Sequence, residues 1–417
     1  MVPAHVRILY LHQFFVTREG TGGTRSYEFA RHLVASGHEV TMVTAAPGAP
    51  PDGERRKLTA ERDVDGIHVV AARGGYSDYV QATRMGYGRR LLGFAQFALA
   101  ATAVVLRRPR PDVIFATSPP LTMAFPAMVA ARRWGVPLVF EVRDLWPEAP
   151  IQMGALRSPV ARWLARRLER TVYRAAASVV ALSPGMRAGV AAAGIPEERI
   201  TLIPNASDLD LFSPDLNSGD LRQRFGLGDA FVCCYFGTMG EANDLGQVIE
   251  AAALLREQGQ EDVRFVLQGD GKRRSELEQQ IAARGLSNVT LLPAGDKFAA
   301  ARLAAASDAC MTIFKDVPIL ATNSPNKLFD SFAAGRPAIV NTDGWQRELV
   351  ETHEAGVFAR PGDPADLARQ VLLLRDNPEL ARRYGQNARR LAEREFDRRL
   401  LAERLRELLE RTVGRST

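Results

Sequence analysis

Two stretches place a cation in the first turn of a helical pattern that follows a strand and a loop. In REGTGGTRSYEFARHL, residues 18–33, Arg25 comes just after the pair Gly22-Gly23; in SPNKLFDSFAAGRPAIV, residues 324–340, Lys327 follows Ser324 and Pro325. Ser324 is a good N-cap and Pro325 suits the first helical position, so Lys327 falls at about the third, alongside Asn326. A helix start carries partial positive charge from unpaired N–H groups, and a cation there is mildly unfavourable. Either these cations are merely solvated, or an anion such as a phosphate docks between them and the bare amides. Asp330 stands one turn beyond Lys327 on roughly the same face, the layout that a phosphate-plus-ribose ligand would need.

Other segments put polar residues at strand ends. LQGDGKRRSELE (267–278) carries Gly269, Asp270 and Gly271, but charged residues replace the third glycine of a dinucleotide fingerprint, so it is either a phosphate loop or a turn that caps a sheet. FGTMGEAND (236–244) brings Gly237 to another strand end. In FEVRDLWPEAP (140–150), Arg143, Asp144 and Glu148 sit at and just beyond a strand's carboxyl end, as acid–base or positioning groups, or as caps of neighbouring elements. His12 closes the first strand and either faces a cleft or is structural. The six histidines are scattered, and no H-E-x-x-H, Cys–His cluster or G-x-S-x-G occurs, so no metal site is expected.

The elements that must carry these residues alternate. VRILYLHQFF (6–15), HEVTMVTA (38–45), GIHVVAAR (66–73), DVIFATS (112–118), PLVFEVR (137–143), SVVALS (178–183) and RITLIPN (199–205) read as strands, with amphipathic stretches such as 25–37 between several of them. A second series follows in FVCCYFGTM (231–239), RFVLQGDG (264–271), VTLLPAG (289–295), ACMTIFK (310–315) and PAIVN (337–341). The Asp, Asn, Ser, Pro and Gly of 205–228 mark a boundary near residue 208. The fold class is therefore α/β, with two Rossmann-like, doubly wound domains and an interdomain cleft at the carboxyl ends of their strands. We set the domains at 1–208 and 209–394, with a charged, Leu-rich helix over 395–417 returning to the first domain.

The 417-residue chain is 46% hydrophobic and 24% charged, ordinary for a soluble protein and too long for one core. Its net charge of +6 is uneven: residues 1–208 carry 26 Lys/Arg against 17 Asp/Glu, and 209–417 carry 28 against 31. A basic half can face nucleic acid, an anionic membrane or anionic ligands. Without aromatic interleaving or a known module, nucleic acid is the weakest of these. Three cysteines give no disulfide framework, and the N-terminus lacks the layout of a signal peptide, both fitting a reduced cytoplasmic setting. Residues 89–108 are apolar between arginine pairs but shorter than the roughly 20 residues of a membrane span. They read as a buried core helix or as one lying in a membrane surface.

In order and spacing, GGTRSYEFARHLVASGHEVTMVT, DVIFATSPPL, FEVRDLWPE, LIPNASD, YFGTMGEANDLGQVIEAA, LQGDG and SPNKLFDSFAAGRPAIV make the whole chain resemble glycosyltransferase family 4 of the GT-B fold. The branch it is most similar to builds bacterial cell-surface polysaccharides such as O-antigen. The resemblance implies a retaining, metal-independent hexosyl- or N-acetylhexosaminyl-type transferase without a cofactor. Its donor would be a nucleotide-diphosphate sugar, UDP favoured, and its acceptor a glycan or a polyprenyl-diphosphate-linked acceptor. It implies donor contacts from Gly22, Gly23, Arg25, Asn205, Gly237, Gly269, Asp270, Gly271, Ser324, Asn326, Lys327 and Asp330, and catalytic roles for Arg143, Asp144 and Glu148. The family's paired acidic motif is half present: Asp330 matches its second member, and Thr322 stands at the first. Where many members have His-Asp, this chain has Arg143-Asp144, and the arginine usual near FGTMG is missing. A peripheral seat on the inner face of the cytoplasmic membrane, through the basic first domain, is expected. A sugar-nucleotide epimerase of the same fold and a non-catalytic nucleotide-sugar-binding assembly partner are the alternatives.

Overall fold

The computed structural model describes residues 5–46, 59–77 and 85–414. The first domain is built on an eight-stranded sheet: β1 (Arg7–Leu11), β2 (Glu39–Ala45), β3 (Thr59–Val64), β4 (Ile67–Ala72), β5 (Val113–Ser118), β6 (Leu138–Val142), β7 (Ser178–Ala181) and β8 (Ile200–Leu202). Their order is β3-β4-β2-β1-β5-β6-β7-β8. All neighbours are parallel except β3 and β4, which form a hairpin across Asp65 and Gly66. Both turn residues have positive φ, 52° and 79°, the backbone a tight two-residue hairpin requires. The inner strands are apolar on both faces because helices cover both, which is why they read as unbroken runs.

The second domain carries β9 (Phe231–Phe236), β10 (Val263–Gln268), β11 (Val289–Leu292), β12 (Ala309–Thr312), β13 (Ala338–Val340) and β14 (Gly356–Phe358), all parallel, in the order β11-β10-β9-β12-β13-β14. Its sheet is also covered twice. Cys233 and Tyr235 pack into one core, while Val232, Cys234 and Phe236 pack into the other.

Six helices matter to the site and its surroundings: α1 (Arg25–Ala35), α2 (Tyr87–Val105), α3 (Ala124–Trp134), α4 (Pro159–Ala175), α5 (Asn326–Ala333) and α6 (Arg398–Gly414). The last is more than a surface helix. Leu401, Leu405, Leu408, Leu409 and Val413 form one buried stripe against the first domain, each contributing about 1.5–3 kcal/mol on burial. Its other ties are His32 Nε2 to Glu403 at 2.9 Å and His38 Nε2 to Glu410 at 3.1 Å. The chain thus crosses between domains twice, and the crossings touch: the Ser207 N–H donates to Phe396 O at 3.0 Å and the Arg398 N–H to Ser207 O at 3.0 Å. Among the described residues no helix is long and apolar enough to cross a membrane.

Candidate active site

In each sheet the chain reverses its winding beside the first strand, and the crevice at that point is where α/β sheets take ligands. In the first domain it lies beyond β1 and β5, under the Gly22-Gly23 loop; in the second it lies beyond β9 and β12, between Gly237 and the start of α5. The two crevices face one another across a slot. Bridges at its edge include Ser183 Oγ donating to Thr322 O and the Ile319 N–H donating to Gln152 Oε1 at 3.0 Å.

The α5 turn differs from its sequence reading in a way that matters. Ser324 does not cap the helix; its hydroxyl accepts from the Asn205 N–H at 3.1 Å, and Asn205 Nδ2 donates to Ser324 O. The helix therefore begins at Asn326 behind Pro325, and among the described residues no side chain caps it. Lys327 is the second helical residue, with its ammonium 2.8 Å from Tyr235 Oη and 4.1 Å above the Tyr235 ring. With the Asn243 amide turned so that its nitrogen donates to Thr238 O at 2.7 Å, its oxygen lies 3.3 Å from the same ammonium. Among the described residues no carboxylate pairs with Lys327. Burial pulls its pKa down to about 7. Gly237, with φ +139°, lies against it: a Cβ there would come 3.3 Å from Lys327 Cε.

On the opposite wall, a Cβ at Gly23 would lie 3.3 Å from both Arg143 Nη2 and Asn326 Nδ2. Arg143 donates through Nη1 to His12 Nε2 at 3.1 Å, and His12 Nδ1 lies 2.8 Å from Ser26 Oγ. Burial, and then Arg143, hold His12 well below the ordinary histidine range, so the ring is neutral. Burial raises the neighbouring Asp144 to about 6, against the pull of Arg143. Two buried amide oxygens near the slot, Asn205 Oδ1 and Asn326 Oδ1, have no hydrogen-bond partner among the described residues.

The assignments of Arg25, Glu148 and Asp330 need correction, and the 269–271 turn has a packing role. Arg25 is fully buried: its Nε donates to Glu141 Oε2 at 2.9 Å, Nη2 to Ile203 O at 2.9 Å and Nη1 to Pro204 O, so it is a core tie and not a donor contact. Glu148 lies on the surface, ion-paired with Arg166 at 2.7 Å. Asp330 points inward, accepting from Lys297 Nζ at 2.7 Å and from Ser207 Oγ at 2.8 Å. At 2% exposure the carboxylate faces the core rather than the slot, which takes it from the ribose. The glycines at 269 and 271 serve backbone packing: a Cβ at Gly269 would meet Gly237 O, and one at Gly271 would meet Met239 O. Asp270 closes the same turn, accepting from the Gly271 N–H at 2.7 Å through its side chain and from the Met239 N–H at 2.8 Å through its backbone.

The structure thus brings together Gly22, Gly23, Arg143 and Asp144 on the first-domain side and Gly237, Asn326 and Lys327 on the second-domain side, with Asn205 and Ser324 joining the two domains. Sequence reasoning left Ser26, Tyr235, Asn243 and Lys297 unmarked. Only Lys297 carried a signal, as one of five lysines placed just after an Asp that caps a helix. Among the described residues no group of His, Cys, Asp and Glu is arranged to hold a metal ion.

Two Rossmann-like domains facing one another across a slot define the GT-B fold of glycosyltransferases. Residues 20–206 match the family model described as glycosyl transferase 4-like domain, and residues 218–391 match glycosyl transferases group 1. The chain belongs to glycosyltransferase family 4 and is a glycosyltransferase. It is 27% identical to the putative colanic acid biosynthesis glycosyl transferase WcaI of Escherichia coli over 87% of this chain and 91% of that one. To the alpha-D-kanosaminyltransferase of Streptomyces kanamyceticus it is 27% identical, over 64% and 68% of the two chains. Among solved structures, Anabaena HepE with UDP and glucose aligns at a TM-score of 0.72 and 22% identity, covering 97% of this chain and 99% of that one. Sucrose-phosphate synthase of Thermosynechococcus elongatus aligns at 0.78 and 18% identity, covering 98% and 99%.

Proposed function

We propose that the enzyme transfers a sugar, with retention, from a nucleotide-diphosphate sugar to a glycan or a polyprenyl-diphosphate-linked acceptor during cell-surface polysaccharide assembly. UDP is the favoured nucleotide because HepE is held with UDP and glucose, and polysaccharide assembly is favoured because WcaI is described as a putative colanic acid biosynthesis glycosyl transferase. The observation that carries the reading is Lys327: a desolvated ammonium with no carboxylate partner among the described residues, at an uncapped helix start, packed against the Gly237 turn. A diphosphate supplies the missing anion and accepts from the α5 amides.

In the reaction the bond from the anomeric carbon to the diphosphate oxygen breaks as the acceptor oxygen bonds to that carbon on the same face. The acceptor's proton passes to the departing phosphate oxygen, and the nucleoside diphosphate leaves. Lys327 and the α5 amides stabilise the charge that builds on the leaving group. Asp144, with its raised pKa and its place at the end of β6, orients a hydroxyl of the sugar or acceptor.

Calorimetric titration of UDP-sugars into the wild type and into Lys327→Ala tests this. Saturable binding in the wild type that weakens at least tenfold in the variant is expected, and equal affinity in both removes the reading. Turnover that continues undiminished in EDTA is expected of a reaction whose charge is neutralised by protein groups. Conversion of a UDP-sugar to its epimer with no acceptor present would favour epimerisation instead.

We further propose that the first domain rests on an anionic lipid surface through α4. Val160, Trp163 and Leu164 are 67%, 58% and 54% exposed on its first turns, and Arg166, Arg167, Arg170 and Arg174 follow. α4 packs beside α3, which packs on α2, and these carry the exposed Phe125, Leu92 and Leu99. The 89–108 segment is thus half core, through Phe94, Phe97 and Val105, and half outward-facing. Apolar residues backed by arginines suit an interfacial helix.

A further inference from the structure

Most cations around the slot are already neutralised. Arg18 pairs with Glu28 (2.9 Å), Arg25 with Glu141 (2.8 Å), Lys297 with Asp330 (2.7 Å) and Arg273 with Glu241 (3.1 Å). The loop 236–244 after β9 contains no Lys or Arg. Lys327 alone leaves a diphosphate undercompensated. Among the described residues Arg143, on the other domain, has no carboxylate within ion-pair distance.

Its direction is set by its neighbours. A guanidinium has donors only, so His12 Nε2 must accept from Arg143 Nη1, and the ring proton must sit on Nδ1, donated to Ser26 Oγ. With Nη1 held in this way, Nη2 points to the space that Gly23 leaves open, where Asn326 Nδ2 arrives from the second domain at the same 3.3 Å. Asn326 immediately precedes Lys327, so an anion seated at the start of α5 lies within reach of both walls.

We infer that Arg143 is the second cation on the departing diphosphate, delivered from the first domain, and that His12 and Ser26 are positioning residues that aim it. The inference rests on the nucleotide-sugar reading above. It makes the phosphate site complete only when the two domains meet, so ground-state donor binding leans on Lys327 and the leaving-group charge on Arg143. Gly23 has a matching role, since any side chain there would fill the point where the two donors converge.

The test is a double-mutant cycle read as kcat and as donor affinity, with thermal melting as a control on folding. Arg143→Ala is expected to lower kcat about 10²-fold, with donor affinity changed far less than in Lys327→Ala. His12→Ala is expected to lower kcat in the wild-type background and to do nothing further in the Arg143→Ala background, while His12→Gln, which keeps an acceptor, recovers much of the rate. A wild-type kcat in Arg143→Ala, or a His12→Ala loss of equal size in both backgrounds, overturns the inference and leaves the nucleotide-sugar reading standing. Absence of any UDP-sugar binding by the wild type overturns both.

Discussion

The starts of α1 and α5 look alike in sequence, each a loop followed by a basic residue in the first turn, yet they are built for different ends. Arg25 turns inward and meets Glu141 on β6, with the carbonyls of residues 203 and 204 occupying its remaining donors. Lys327 turns toward the slot and meets the hydroxyl and ring of Tyr235, the ring of Phe314 and an amide, with no carboxylate among the described residues. The difference lies in a partner 116 residues away in sequence, which no local pattern contains. A cation at a helix start therefore marks a ligand site only when the fold withholds its counter-charge.

The comparison breaks first on stability. Arg25→Met leaves Glu141 buried with only the Thr117 hydroxyl, and is expected to destabilise the protein by about 3–5 kcal/mol in denaturant unfolding. Lys327→Met should leave stability unchanged or raised. If the two variants unfold alike, the contrast between the helix starts is wrong.

The next effect sharpens the role of Lys327 through pH. Its free-enzyme pKa of about 7 lies below that of an unfolded lysine. The unfolded chain therefore binds the extra proton between those values, and the unliganded protein gains stability as pH rises through that window. Donor binding needs the ammonium form, so affinity falls as pH rises past about 7, and binding takes up a proton. Calorimetry in two buffers of different ionisation heat reads that proton directly; Lys327→Met should abolish the uptake.

Asp144 offers a smaller contrast on the first-domain wall. With its pKa near 6, turnover should decline as pH drops through that value, and Asp144→Asn should remove this acid limb and lower the rate about 10²-fold. An unchanged limb would reassign it. The smallest effect concerns location: Trp163→Ser with Leu164→Ser should reduce flotation with anionic vesicles while transfer to a water-soluble acceptor continues. Undiminished flotation would move the contact away from α4.

The alternation of strands and helices was legible because strands covered on both faces read as apolar runs. β3 escaped because it is a mostly exposed edge strand, TAERDV, with no apolar face to pattern. Only the Asp65-Gly66 pair after it hinted at a hairpin. In the site, the glycine at 23 and Lys327 were visible by type and by place at helix starts, and Arg143 by its place at a strand end. The fates of Arg25, Glu148 and Asp330 were not, because Glu141, Arg166 and Lys297 reach them across tertiary contacts. His12 was the middle case: its position at a strand end was plain, while its hydrogen-bond partners depend on α1 and β6 meeting beneath the slot.

The side-by-side crossing of the chain at Ser207 and Asp397 has a mechanical consequence. Both tethers of the second domain pass through one narrow point, braced where Arg398 grips Asp208 at 3.0 Å and Ala206 O at 2.7 Å. A body held at a single pin can swing, but it slides poorly. Proteins cut short before α6 would lose one strand of that pin along with the Leu-lined seat, so labels meant to follow the swing belong on the outer rims of the two sheets rather than near the chain's end.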